Sequence, residues 1–208
     1  MQKWTQDLLI SYPDLSDCAA DIEQAYRIMA EQFHKGHKLL VCGNGGSAAD
    51  CEHIVGELMK SFTMRRAIPE SLKIGLQSES DGSYIAEHLQ QALPAISLVS
   101  QSGLYTAFSN DVQPDLVFAQ QVYGYGQPGD MLLGLSTSGN SRNVVYACEV
   151  AKALGLHTIG LTGKQGGQMA RYCDAVVRVP YESTAQVQER HLPIYHAFCL
   201  ALEEEFFG

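Results

Sequence analysis

The chain has 208 residues, of which 46% are hydrophobic, enough for one α/β domain with a full core, and no low-complexity linker divides it. A formal net charge of −9 excludes nucleic acid or an anionic membrane as the main partner, because both reward clustered Lys and Arg. No run of about eighteen apolar residues is present, and the polar, broken stretch 1–12 has no signal-peptide core, so a cytoplasmic location is expected. Six scattered cysteines (Cys18, Cys42, Cys51, Cys148, Cys173, Cys199) without CxxC spacing read as reduced core residues.

In chain order, residues 16–35 place Ala19, Ile22, Ala25, Met29 and Phe33 at helical spacing, with Ser16 as N-cap and Gly36 as stop. Residues 38–42 form a short apolar run bounded by glycine, as expected of a parallel strand buried on both faces. The turn Gly43, Asn44, Gly45, Gly46 follows, and Ser47 is placed to cap the next helix. Main-chain N–H groups at that turn would welcome an anion. On this helix His53 and Glu57 are four apart and share a face, an arrangement that serves a metal, proton transfer or an ordinary surface pair.

Residues 64–93 are polar in the middle and lack a clear period before Tyr84. They read as a solvent-exposed insertion, with residues 87–93 able to form a short helix. A strand at 95–99, a turn through Ser100 to Gly103, the pair Asn110 and Asp111, and a helix at 116–125 come next. A further strand at 131–135 runs into Ser136, Thr137, Ser138, Gly139, Asn140 and Ser141, with four hydroxyls in six residues. A helix at 142–154, a strand at 157–161, a third glycine loop at 162–167, a strand at 175–179 and a helix at 181–207 complete the chain. Strands alternating with helices predict an α/β fold, a doubly wound, mainly parallel sheet of five strands with its glycine loops on the carboxyl edge.

Neither serine-bearing turn is a GxGxxG or GxxxxGK[ST] motif, so the nucleotide fingerprints do not apply. Their hydroxyl density suits a single phosphate monoester held by side-chain O–H groups, N–H groups and helix dipoles, although Ser, Thr, Gly and Asn are also ordinary turn residues. On the last helix Gln188 and His196 are eight apart and project to roughly one side, with His191 between them.

Taken together, GNGGS followed by His53-x-x-x-Glu57, STSGNS, LTGKxGG and the late QExHxxxxH resemble the SIS (sugar isomerase) domain, and within it the phosphoheptose isomerases, also called sedoheptulose 7-phosphate isomerases. The likeness covers nearly the whole chain except about 64–93 and describes one domain over 1–208, with an N-terminal helical segment at about 1–36 that would join a bundle between subunits. It implies the flavodoxin-like three-layer sandwich and a homo-oligomer, a tetramer. The implied reaction converts sedoheptulose 7-phosphate to D-glycero-D-manno-heptose 7-phosphate through an enediolate.

By the same resemblance, Glu57 and His196 are the catalytic acid/base pair, and His53, Glu57, Gln188 and His196 surround a zinc ion. Asn44, Gly45, Gly46, Ser47, Asn110, Asp111, Ser136, Thr137, Ser138, Ser141 and Gln188 then contact the sugar phosphate. Two positions depart from the pattern: Ser61 stands where many members carry Arg, with Lys60 beside it and Arg65 and Arg66 further on, and Ala185 stands where Asp is frequent. The insertion is accordingly expected to cover the pocket mouth or a subunit contact and to supply the missing basic contact through Arg65 or Arg66. Two alternatives stay open. One is a non-catalytic SIS protein that binds a partner, like the DnaA initiator-associating protein, which lacks the acid/base pair. The other is an isomerase for a different sugar phosphate, since such turns recognise phosphate rather than carbon number.

Overall fold

In the first strand, β1 (Leu39–Gly43), every residue is buried, and alternate side chains enter different cores. Leu39 and Val41 join one apolar cluster, Leu40 and Cys42 the other. A strand covered on both faces cannot alternate apolar with polar, which is why its sequence is a continuous apolar run. β3 (Met131–Ser136) repeats the pattern, with Met131, Leu133 and Leu135 in the first core and Leu132 in the second. Burial of one such leucine contributes roughly 1.5–3 kcal/mol.

The computed structural model describes residues 2–208. β2 (Ala95–Ser97), β4 (His157–Thr162) and β5 (Ala175–Arg178) complete a five-stranded, all-parallel sheet in the order β2-β1-β3-β4-β5. Leu39 is in register with both Ala95 and Met131, and Met131 with His157. One face is covered by α1 (Lys3–Ser11), α2 (Ala19–His34), α3 (Gly46–Met59) and α9 (Thr184–Phe207). The other is covered by α6 (Ser102–Asp111), α7 (Val117–Tyr125) and α8 (Arg142–Ala153). The expected doubly wound three-layer architecture is therefore present, and its strand order reverses between β1 and β3, where the helices after the two strands lie on opposite faces.

Several local expectations are corrected. The polar N-terminal stretch forms α1, held by buried Leu8 and by Trp4 packed 4.9 Å from the Tyr26 ring. Ser16 does not cap α2: it lies in a 3-10 turn (Pro13–Cys18), where its hydroxyl donates to the Pro13 carbonyl at 2.6 Å, and α2 starts only at Ala19. Ser47 is not a cap either. α3 begins at Gly46 with Gly45 before it at φ +57°, so Ser47 sits buried in the first turn.

The insertion carries two short helices, α4 (Glu70–Leu76) and α5 (Gly82–His88), closed off by a bridge between Ala67 and Gln90. The short helix expected at 87–93 lies earlier instead, as α5, and stops at His88 because the chain turns extended at Leu89 on its way to that bridge. α6 was not expected from the sequence. All six cysteines are free thiols, and five of them are buried.

Candidate active site

The glycine turns meet above the switch point between β1 and β3. Asn44, just beyond β1, and Asn143, in the first turn of α8, exchange side-chain amide hydrogen bonds of 2.8 and 2.9 Å, tying one turn to the other. Ser136 and Ser141 share a hydroxyl hydrogen bond of 3.0 Å across the second turn. The third loop is drawn in as well: the Met169 N–H donates to the Gly139 carbonyl at 2.9 Å, and the Gln168 N–H to Asn140 Oδ1 at 3.0 Å. This approach is so close that a Cβ on Gly139, whose φ is +65°, would stand 2.1 Å from the Gly166 carbonyl oxygen. The result is a rim of hydroxyls, N–H groups and helix N-termini, chemically suited to an anion. A cavity of about 270 Å³ between the second and third loops is lined by Thr137, Ser138, Asn140, Lys164 and Tyr181.

The ionisable groups lie along α3 and α9 on the first core face. Asp50, His53 and Glu57 follow one another at three and four residues, so they form a stripe on α3. His53 Nε2 is 3.4 Å from Glu57 Oε1, and Glu57, with its side chain only 12% exposed, accepts a 2.7 Å hydrogen bond from Lys60. From α9 the His196 ring comes within 5.0 Å of His53 at 83°, against Phe62. Its Nε2 is buried without a hydrogen-bond partner among the described residues. Burial lowers the His196 pKa, the neighbouring His53 lowers it further and Glu57 opposes both, a balance that favours the neutral, proton-accepting imidazole.

Tyr195 orders this group. Its hydroxyl donates to Asp50 Oδ1 at 3.1 Å and lies 3.2 Å from His53 Nδ1. A phenol has one proton, so with Asp50 ionised the Tyr195 oxygen accepts from the His53 Nδ1–H. His53 Nε2 and Glu57 Oε1, 3.4 Å apart, are a nitrogen and an oxygen of the kind a divalent metal takes. The donor set is therefore compatible with a metal ion, although among the described residues no three His, Cys, Asp or Glu side chains already stand as a closed ligand cage.

Gln188 projects from α9 toward the start of α3, lining one depression with Asp50. Its amide lies against the N-terminus of α3, where a Cβ on Gly46 would stand 1.8 Å from Nε2. It thus links the glycine turn to α9. Asn110 and Asp111 are exposed at the end of α6, with the Asn110 amide donating to the Asp111 carboxylate at 2.8 Å. Arg66 faces inward, fully buried, and only Arg65 stays exposed. Asp50, Asn143 and Tyr195 escaped the sequence reading. Asp50 alone left a signal there, three residues before His53 on the same helical stripe.

Comparison with known proteins bears on this arrangement. A SIS domain model matches residues 14–92 and 82–163. The phosphoheptose isomerase of Synechocystis sp. is 40% identical over 211 aligned positions, covering 100% of this chain and 96% of the relative. That of Akkermansia muciniphila is 36% identical, covering 95% and 92%. The chain belongs to the SIS-domain phosphoheptose isomerase family. Among solved structures, the phosphoheptose isomerase from Neisseria gonorrhoeae superposes with a TM-score of 0.75 at 31% identity, covering 96% of this chain and 94% of that one. The enzyme from Francisella tularensis gives 0.73 at 29% identity, covering 98% and 100%. The domain match ends before α9, so it is the phosphoheptose isomerase relatives, aligned along the whole chain, that take in Gln188 and His196.

Proposed function

We propose that this chain is the aldose-ketose isomerase that converts sedoheptulose 7-phosphate to D-glycero-D-manno-heptose 7-phosphate. The observation that supports it most is the convergence of Glu57 from α3 and neutral His196 from α9 around His53. The rim of Asn44, Gly45, Gly46, Ser47, Ser136, Thr137, Ser138 and Ser141 would hold the phosphate, and the exposed Asn110 and Asp111 are candidates for substrate hydroxyls. A phosphate anchored there orients the carbon chain, and orientation is the largest contribution that binding can make to such a reaction.

Glu57 takes a proton from C1 of the open-chain ketose, giving a cis-enediolate over C1 and C2, and returns it to C2 to form the aldose. His196 carries the hydroxyl proton from O1 to O2, so atoms and charge balance at the end of the cycle. Lys60 is exposed and can leave Glu57 as substrate enters. His53, Glu57, Gln188 and His196 would hold a divalent metal, zinc. When bound it would polarise the carbonyl and stabilise the oxyanion.

A homotetramer and a cytoplasmic location complete the reading. The groove of about 370 Å³ between α1 and α9, lined by Trp4, Tyr12, His196 and Leu200, offers an apolar surface for a neighbouring subunit. No described helix is long and apolar enough to cross a membrane.

Glu57→Gln tests the assignment: turnover of sedoheptulose 7-phosphate, followed by anion-exchange chromatography of the product, should fall about 10²–10⁴-fold with the fold intact. Turnover like that of the wild type would overturn the role of Glu57. A panel of ketose phosphates assayed with the unaltered protein tests the choice of substrate.

A further inference from the structure

The basic residue that follows the active-site helix is turned away from the substrate. Arg66 and Glu203 are each 1% exposed. Arg66 Nε donates to Glu203 Oε1 at 2.8 Å, Nη1 to the Leu58 carbonyl at 2.8 Å and Nη2 to the Glu57 carbonyl at 3.0 Å. Its guanidinium lies 4.7 Å from the centre of the Phe207 ring. The two carbonyls belong to the last turn of α3, where helical geometry leaves them without an N–H partner inside the helix, and the Leu58 carbonyl also accepts from the Leu93 N–H at 3.0 Å. Glu203 is equally engaged: the N–H groups of Phe62 and Thr63 and the Thr63 hydroxyl each donate to it at 2.7 Å, and the Met64 N–H at 3.2 Å. One carboxylate on α9 thus gathers residues 62–66 and, through Arg66, grips the end of α3. Glu203 stands seven residues beyond His196, two helical turns along the same side of α9.

We propose that Arg66 is a positioning residue for the isomerisation, fixing the main chain of Glu57 against the helix that carries His196. This rests on the reading of Glu57 and His196 as the acid/base pair. The two groups come from elements more than a hundred residues apart in sequence, so their separation depends on how firmly α3 and α9 are joined. An apolar side chain would fill the same space without a directed link. The three acceptors are met by three separate nitrogens of one planar group, Nε, Nη1 and Nη2, a spread that the single ammonium nitrogen of a lysine does not reproduce.

The insertion therefore begins with a clamp behind the active site, not with a substrate contact from Arg66. An ordinary structural cap would hold the fold alone, whereas a positioning residue controls the chemical step after substrate has bound. The test uses Arg66→Lys and Glu203→Gln, with Glu57→Gln alongside, at a temperature where circular dichroism finds each variant folded. For Arg66→Lys the expected result is a kcat reduced about tenfold or more with KM for sedoheptulose 7-phosphate within about twofold of wild type.

Unchanged kcat in folded Arg66→Lys, a fall in kcat that only follows the folded fraction, or a rise in KM alone would each overturn the proposal. If Arg66→Lys does not fold, Glu203→Gln carries the same comparison, since it keeps an acceptor for the N–H groups and removes the charge that holds Arg66. Failure of both to fold would overturn positioning in favour of a purely structural clamp. Retained turnover in Glu57→Gln would instead overturn the reading of Glu57, a result distinct from all of these.

Discussion

Gly46→Ala separates the function of the first glycine turn from its contribution to stability. Gly46 opens α3 and lies outside the set of positive-φ glycines, so an alanine fits its backbone conformation. Alanine is the better helix former, by up to about 1 kcal/mol in a helix interior and less in the first turn. The added methyl, however, would stand 1.8 Å from Gln188 Nε2 and 2.6 Å from its Cδ and Oε1. The side-chain amide must therefore retreat by roughly an ångström or more, while the main chain stays in place.

Stability should accordingly change by less than about 1 kcal/mol, a Tm shift of roughly 2–4 °C at most for a chain of this size. A displacement of about an ångström at a substrate contact costs up to about 10²-fold. We expect kcat/KM for sedoheptulose 7-phosphate to fall between about 10- and 100-fold in steady-state assays, with thermal unfolding nearly unchanged. Gly45→Ala is the counterpart. No atom lies within 4 Å of its added Cβ, but φ is +57°, so the damage should be backbone strain of about 1–3 kcal/mol and a lowered Tm. Gly46→Ala with kcat/KM within about twofold of wild type would refute the placement of Gln188 in the site.

Fully buried His191 has its pKa pushed down by burial to about 4, against a contact with the Thr162 main chain that raises it. The unfolded chain takes up that proton near pH 6.5 and the folded chain does not, so stability falls as pH drops from about 6.5 toward 4. Between pH 7.5 and 5 the loss should be about 2 kcal/mol, and His191→Leu should lack it in urea unfolding at the two pH values. Equal pH dependence in the two proteins would refute this source. For the donor pair His53 Nε2 and Glu57, elemental analysis of purified protein should return about one zinc per chain. Active protein free of divalent metal would refute the metal reading.

Strands, glycine loops and the shared face of His53 and Glu57 are legible in the sequence because each is local: a five-residue apolar run, a turn that only glycine permits, and a period of 3.6 residues. The parallel sense of the sheet and the loops at its carboxyl edge follow from the same alternation, whereas the strand order β2-β1-β3-β4-β5 came only from the structure. Even local reading fails where tertiary contact competes with it, as at Ser16 and Ser47, two good capping residues that cap nothing because the helices begin elsewhere. Only the tertiary structure decided which distant groups meet: Asn44 with Asn143, His53 with Tyr195, Gly46 with Gln188, and Arg66 with Glu203. In sequence Arg66 reads as a surface cation near an incomplete phosphate site, since nothing within its own segment reveals a buried carboxylate. Its partner arrives from the far end of the chain when α9 packs across α3, and a buried guanidinium is tolerated only once that carboxylate and two helix-end carbonyls are there to pair it.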